Sequence, residues 1–260
     1  MTPAERISAA ILQARGGIAI VAFITAGFPS REKFREHLGQ VGNEADVVEI
    51  GVPFTDPMAD GMTIQRSSRE ALNQGVTLRW VLDELESLTR ERRSPRAPLL
   101  LMSYLNPLLA FGLTALSAAA VRAGVSGFIV PDLPYDESEE FRAALAPHGV
   151  ALIQMVTPVT RPERMKKLCA ATQGFVYAVT MTGTTGRTAA VPSEVTRYLD
   201  GVRAAAKLPV CAGFGIRSRE QVEQLEGHVA GVIVGSALVE VMENGQDAAG
   251  FLRSLRPAGT

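Results

Sequence analysis

Ile18-Ala19-Ile20-Val21-Ala22-Phe23-Ile24-Thr25 runs straight into Ala26-Gly27-Phe28-Pro29-Ser30, and this pairing of a run with its stop decides how the chain folds. An uncharged run without polar alternation describes a strand buried on both faces, as in a parallel sheet covered by helices. Glycine and proline then end it, and residues 31–44 carry helical spacing. A second unit of the same kind follows. Val47-Val48-Glu49-Ile50 stops at Gly51, a loop stiffened by Pro53 and Pro57 comes next, and helices are predicted over 63–73 and 78–92.

The alternation recurs along the chain. Apolar runs at 99–102, 127–130, 152–156, 175–179, 210–212 and 232–234 each give way to a Gly, Pro or Thr loop. Helical stretches follow at 114–123, 136–146, 161–171, 193–206, 218–226 and 236–243, with a last one at 247–255. Ahead of them all, residues 2–15 read as an amphipathic helix on Ile7, Ala10, Ile11 and Ala14. Eight strands alternating with helices imply βαβ units whose crossovers share one hand and return the last strand to the first. The predicted class is α/β, a (β/α)8 TIM barrel with an extra N-terminal helix, and residues 1–260 are read as one domain, an ordinary size for this barrel. An open doubly wound sheet would begin on Gly-x-Gly-x-x-Gly near the first strand, and Ala26-Gly27-Phe28-Pro29 is not that motif.

Composition narrows the function classes. The chain is 47% hydrophobic and 20% charged, enough apolar residues for a full core. Its 26 basic and 27 acidic residues nearly cancel, so no broad basic field is available for nucleic acid or an anionic membrane. No long uncharged apolar run reads as a signal peptide or a spanning helix, and a cytoplasmic protein is expected. Cys169 and Cys211 lie apart in apolar patterns and read as inert core thiols.

Chemistry in such barrels sits at the carboxyl ends of the strands and on the loops behind them. Glu49, Asp56 and Asp60 follow the second strand. No lysine or arginine lies in any of the apolar runs to neutralise Glu49. Burial disfavours its charged form and raises its pKa toward neutrality, where it can give and take protons. Asp56, between Thr55 and Pro57, reads more simply as a turn former, and Asp60 before Gly61 has the same alternative. Tyr177 either fills core or aims its hydroxyl into the site, and Asp132, between prolines, leans to a structural role. Gly213-Phe214-Gly215 and Gly235-Ser236, after the seventh and eighth strands, form a phosphate cradle of amides and a helix N-terminus, to which Gly186 adds one more amide. His37, His148 and His228 occupy no strand end, and no His, Asp and Glu cluster has metal-ligand spacing.

With these residues in view, the chain resembles the tryptophan synthase alpha subunit family. The core of the resemblance is Glu49-Ile50-Gly51-Val52-Pro53-Phe54-Thr55-Asp56-Pro57-Met58-Ala59-Asp60-Gly61. Thr25-Ala26-Gly27, Met102 with Tyr104-Leu105-Asn106-Pro107, Pro131-Asp132-Leu133-Pro134, Gly183-Thr184-Thr185-Gly186, Gly213-Phe214-Gly215-Ile216 and Gly235-Ser236-Ala237 extend it over nearly the whole chain. The resemblance implies a lyase that splits indole-3-glycerol phosphate into indole and glyceraldehyde 3-phosphate in tryptophan biosynthesis. It implies Glu49 and Asp60 as the catalytic pair. Tyr177, Phe23, Leu101 and Phe214 would line the indole slot, with Thr185 close to Asp60, and Gly186, Gly213, Gly215, Gly235 and Ser236 would hold the phosphate. It also implies a beta partner in an alpha2beta2 heterotetramer, with pyridoxal phosphate in the beta subunit and no cofactor in this chain. Residues 180–190, with five threonines and two glycines, are expected to close as a lid. Pro53-Phe54 and the apolar stretch 104–112 are expected to form an exposed patch for the partner. Three positions depart from the family's pattern: Phe28 stands where an aspartate is common, Met62 replaces a frequent proline, and loop six is one residue short beside Arg187. A stand-alone lyase and a non-catalytic activator barrel are the rival readings.

Overall fold

A computed structural model describes residues 1–180, 191–213 and 215–257. Eight parallel strands close on themselves in sequence order. They are β1 (Ala19–Thr25), β2 (Val47–Gly51), β3 (Leu99–Met102), β4 (Val125–Ile129), β5 (Ala151–Val156), β6 (Val176–Val179), β7 (Val210–Gly213) and β8 (Gly231–Val234). The helices are α1 (Pro3–Leu12), α2 (Phe34–Glu44), α3 (Met62–Asn73), α4 (Leu78–Arg90), α5 (Leu105–Phe111), α6 (Leu113–Arg122), α7 (Glu139–Leu145), α8 (Pro162–Ala171), α9 (Ser193–Ala205), α10 (Arg219–Leu225), α11 (Ser236–Glu243) and α12 (Ala248–Leu255). The predicted barrel and its additional N-terminal helix are both present.

Strand side chains divide into two layers because Cβ atoms alternate across a strand. Ile20, Ala22 and Ile24 of β1, Val48 and Ile50 of β2, and Leu99 and Leu101 of β3 pack outward with helix residues such as Phe34, Leu38, Leu82 and Leu85. Ala19, Val21, Val47, Leu100, Ile129, Ile153 and Cys211 fill the interior. Continuous apolar strands are what such a wall, covered on both faces, requires.

The floor of the interior is closed by α1. Thr2 and Glu5 form a reciprocal cap, with the Thr2 amide donating to Glu5 Oε2 at 2.7 Å and the Glu5 amide donating to Thr2 Oγ1 at 3.2 Å. Ile7 and Ile11 from this helix are 0% and 2% exposed and join the interior cluster. The helix stops three residues short of its predicted end, because Gly16 and Gly17 both take positive φ and the chain is already turning. The stretch 104–112, expected as an exposed patch, is mostly the short helix α5; it buries Tyr104 and Leu108 and leaves Asn106, Leu109 and Ala110 exposed, so the patch is borne out in part. No single helix among the described residues is long and apolar enough to cross a membrane.

Candidate active site

Glu49 lies on the inner face of β2, in register with Phe23 of β1 on one side and Leu100 of β3 on the other. It is fully buried, and neither carboxyl oxygen has a hydrogen-bond partner among the described residues. Burial in this apolar setting, with the charge of Asp60 nearby, pushes its carboxyl up to about 8.

Asp60 approaches from the loop after β2 and is half-buried. That loop is held by its own bonds. The Asp60 amide donates to the Pro57 carbonyl at 3.1 Å, and Gln65 Nε2 donates to the Asp60 carbonyl at 2.8 Å. Tyr104, at the end of β3, fixes it further: its hydroxyl accepts from the Ala59 amide at 2.8 Å and bonds the Asp60 carboxyl. Burial raises Asp60 to about 6, and the Tyr104 bond opposes that rise. Phe54 stacks on Tyr104 with ring centroids 5.1 Å apart. Asp56, in contrast, is exposed; its carboxyl accepts from Thr55 Oγ1 at 2.5 Å and its carbonyl accepts from the Met58 amide at 2.9 Å.

Tyr177 faces inward from β6, in register with Cys211. Its hydroxyl is pushed well above the ordinary phenol range by burial, with the charges of Glu49 and Asp60 adding to the rise. Glycines seat the rings here. A Cβ at Gly51 would lie 2.4 Å from Phe23 Cζ, and one at Gly213 would lie 3.1 Å from Tyr177 Cε1. Gly235 abuts Phe23 and precedes Ser236, the first residue of α11, so the amides of that helix start open at the same end as Glu49. Gly215, exposed with φ of 72°, completes the turn after β7.

Leu101 does not join this group. It packs outward in the layer between barrel and helices, while Leu100 and Met102 hold the inward positions of β3. Leu99-Leu100-Leu101-Met102 is apolar at every position, so the sequence carries no alternation to mark the face, although the register with Glu49 would have marked it. Tyr104 was missed as a site residue for a related reason, since it reads as one more apolar residue of its stretch. The signal available was a hydroxyl at a strand's carboxyl end. Thr185, Gly186, Phe214 and the lid expected over 180–190, apart from Thr180, lie outside the described residues. Asp132 has the structural part expected of it, accepting from the Leu105 amide at 2.8 Å at the start of α5. The Pro53-Phe54 part of the patch is corrected: Pro53 is buried and Phe54 half-buried, while Met58 and Met62 nearby in the chain and Leu109 of α5 are exposed. No group of three His, Cys, Asp or Glu able to hold a metal occurs among the described residues.

Comparison with known proteins places the chain in a family. The family model for the tryptophan synthase alpha chain matches residues 9–255. A tryptophan synthase alpha chain from Nitratidesulfovibrio vulgaris is 43% identical over 243 residues, 93% of each chain, and one from Bacillus mycoides is 42% identical over 92% of each. Among solved structures, the tryptophan synthase subunit alpha of Legionella pneumophila superposes with a TM-score of 0.87 at 31% identity, covering 98% of this chain and 97% of that one. A chain of the M. tuberculosis tryptophan synthase in its aminoacrylate-bound form superposes with a TM-score of 0.85 at 30% identity, covering 96% and 98%. This chain therefore belongs to the tryptophan synthase alpha chain family, whose reaction is the cleavage of indole-3-glycerol phosphate.

Proposed function

We propose that Glu49 and Asp60 are the catalytic pair with which this chain cleaves indole-3-glycerol phosphate to indole and glyceraldehyde 3-phosphate. The observation that carries the reading is that one strand and the loop behind it supply both carboxyls, Glu49 buried with no partner among the described residues and Asp60 bonded by Tyr104, and burial accordingly raises Glu49 to about 8 and Asp60 to about 6. At neutral pH the first holds its proton and the second holds its charge, the arrangement an acid and its electrostatic partner need.

The bond from indole C3 to the glycerol chain breaks readily only once C3 carries a proton. Neutral Glu49 donates that proton, which leaves positive charge on the ring nitrogen. Ionised Asp60 accepts a hydrogen bond from the indole N–H and stabilises that charge. The Glu49 carboxylate then takes the proton of the adjacent glycerol hydroxyl. As the C–C bond breaks, its electron pair returns to the ring and the oxygen becomes the aldehyde of glyceraldehyde 3-phosphate. The step is that of a carbon-carbon lyase of aldolase type and needs no cofactor in this chain. Tyr177 and Phe23 line the ring slot, and the amides around Gly213, Gly215, Gly235 and Ser236 take the phosphate.

The partner is a beta subunit with pyridoxal phosphate, in an alpha2beta2 assembly in the cytoplasm. Its docking face is the rim beside the site, where Met58, Met62 and Leu109 are 84%, 77% and 51% exposed. Incubating the pure chain with indole-3-glycerol phosphate and assaying indole, with and without beta subunit, tests the reaction and the partnership together. Positioned acid-base catalysis contributes about 10²–10⁴-fold. Glu49→Gln is expected to remove nearly all turnover, and a variant keeping more than about a tenth of wild-type cleavage refutes the assignment.

A further inference from the structure

We propose that Glu240 is a positioning residue that holds the helix behind Asp60 in register with the two elements that grip the substrate phosphate; the inference rests on the function proposed above. Three elements meet at its carboxylate. Arg217, two residues beyond Gly215, donates from Nη1 to Oε2 at 2.7 Å and from Nη2 to Oε1 at 3.0 Å. Thr63, on the first turn of α3 and three residues beyond Asp60, donates from Oγ1 to Oε1 at 3.1 Å. Glu240 itself stands on α11, the helix that Ser236 begins.

One turn along, Arg66 of α3 bonds Glu243 of α11 through Nε at 2.8 Å and Nη2 at 2.6 Å, so the two helices are tied at two levels. Beneath these ties, Ile64 of α3 and Val239 of α11 join Phe23 in one apolar cluster, which brings the same seam down to the wall of the site. The bidentate arginine keeps the Glu240 carboxyl below its usual range and hence charged.

Stability alone gives these contacts little reason to exist. The Arg217 and Glu240 side chains are 39% and 33% exposed, and ion pairs at such exposure add little to folding. Geometry gives them one. The substrate is held at its phosphate by the loop after β7 and the start of α11, and at its ring by Asp60 on the loop that leads into α3. A substrate held at both ends requires a fixed span between them, and Glu240 is the atom group common to all three elements.

The test separates the whole substrate from its halves. Wild type, Glu240→Ala and Arg217→Ala are compared for kcat/KM on indole-3-glycerol phosphate, for affinity toward glycerol 3-phosphate and toward indole separately, and for urea midpoint. A displacement of about 1 Å costs on the order of 10²-fold in rate, so a loosened clamp is expected to lower kcat/KM about 10-fold in either variant. Both half-ligands should bind within about twofold of wild type, the urea midpoint should hold, and the double variant should be no worse than either single one. A fall in kcat/KM smaller than about threefold overturns the proposal, as does a fall matched by lost affinity for the half-ligands or by lost stability. Wild type that released no indole would overturn the assigned reaction and this inference with it; wild type that cleaves, beside an unaffected variant, overturns the inference alone.

Discussion

Glu49→Gln is expected to make the folded chain more resistant to urea than wild type at pH 8.5, and to lose nearly all of that advantage at pH 5. The carboxyl titrates at an ordinary 4.5 when unfolded and at about 8 in the fold, because burial and the charge of Asp60 disfavour its ionised form. Below 4.5 it is protonated in both states. Between 4.5 and 8 the unfolded chain releases a proton that the folded chain keeps, so stability falls as pH rises; above 8 the loss is complete. At 1.36 kcal/mol per pKa unit the whole loss is about 5 kcal/mol, and the part lying between pH 5 and 8.5 is about 4 kcal/mol. Glutamine does not titrate and escapes it. Both carboxyl oxygens lack partners among the described residues, so the amide is equally unpartnered, but that cost is the same at both pH values and cancels in the comparison. With urea m-values of about 1–3 kcal/mol per M, the variant should gain more than about 1 M in midpoint relative to wild type between pH 5 and pH 8.5. A wild-type-to-variant difference that agrees within about 0.5 kcal/mol at the two pH values would show that Glu49 ionises as freely in the fold as in water, and the poised acid would be lost with it.

Three further outcomes follow from the same geometry. The pH dependence of kcat/KM should be bell-shaped, rising near 6 as Asp60 loses its proton and falling near 8 as Glu49 loses its own; a profile flat from pH 5 to 9 would count against the pair. Gly51→Ala places a Cβ 2.4 Å from Phe23 Cζ, so it should cost about 1–3 kcal/mol in a thermal melt and reduce indole release by shifting the ring; an unchanged melt would refute the contact. Ile7→Ala empties a fully buried site in the barrel floor and should cost about 2–5 kcal/mol, while the fraction still folded cleaves normally, since the floor lies opposite the mouth.

The barrel was legible in the sequence because its strands read as near-continuous apolar runs bounded by Gly and Pro loops, the pattern of a sheet covered on both faces. The same property hid the facing of individual side chains. In Leu99-Leu100-Leu101-Met102 nothing distinguishes inside from outside, and Leu101 was assigned to the slot that Leu100 and Met102 face. Glu49 was legible for the opposite reason: a lone acid in an apolar strand has few structural explanations, and the fold buries it with no hydrogen-bond partner among the described residues. Asp60 could be named but its restraint could not, since the Tyr104 hydroxyl reaches the Ala59 amide from 45 residues away. The Glu240 clamp is more remote still, joining residues separated by 177 positions that only closure of the barrel brings together.

The two carboxyls also differ in what sets their pKa values, and the difference bears on how the site can change. Glu49 is embedded in the wall, where Phe23 and Leu100 flank it along the hydrogen-bonded ladder, so its proton is held by residues that also build the barrel. Asp60 belongs to a loop, and its pKa reflects burial opposed by a single phenol bond. A substitution on the loop can therefore retune the charged partner without disturbing the acid, whereas retuning the acid means repacking the wall. Catalysis needs the two to remain on opposite sides of neutrality. The fold places the acid, whose pKa must be displaced furthest, where water is excluded by the barrel itself, and leaves the anion at the margin, where partial hydration and Tyr104 keep it ionised.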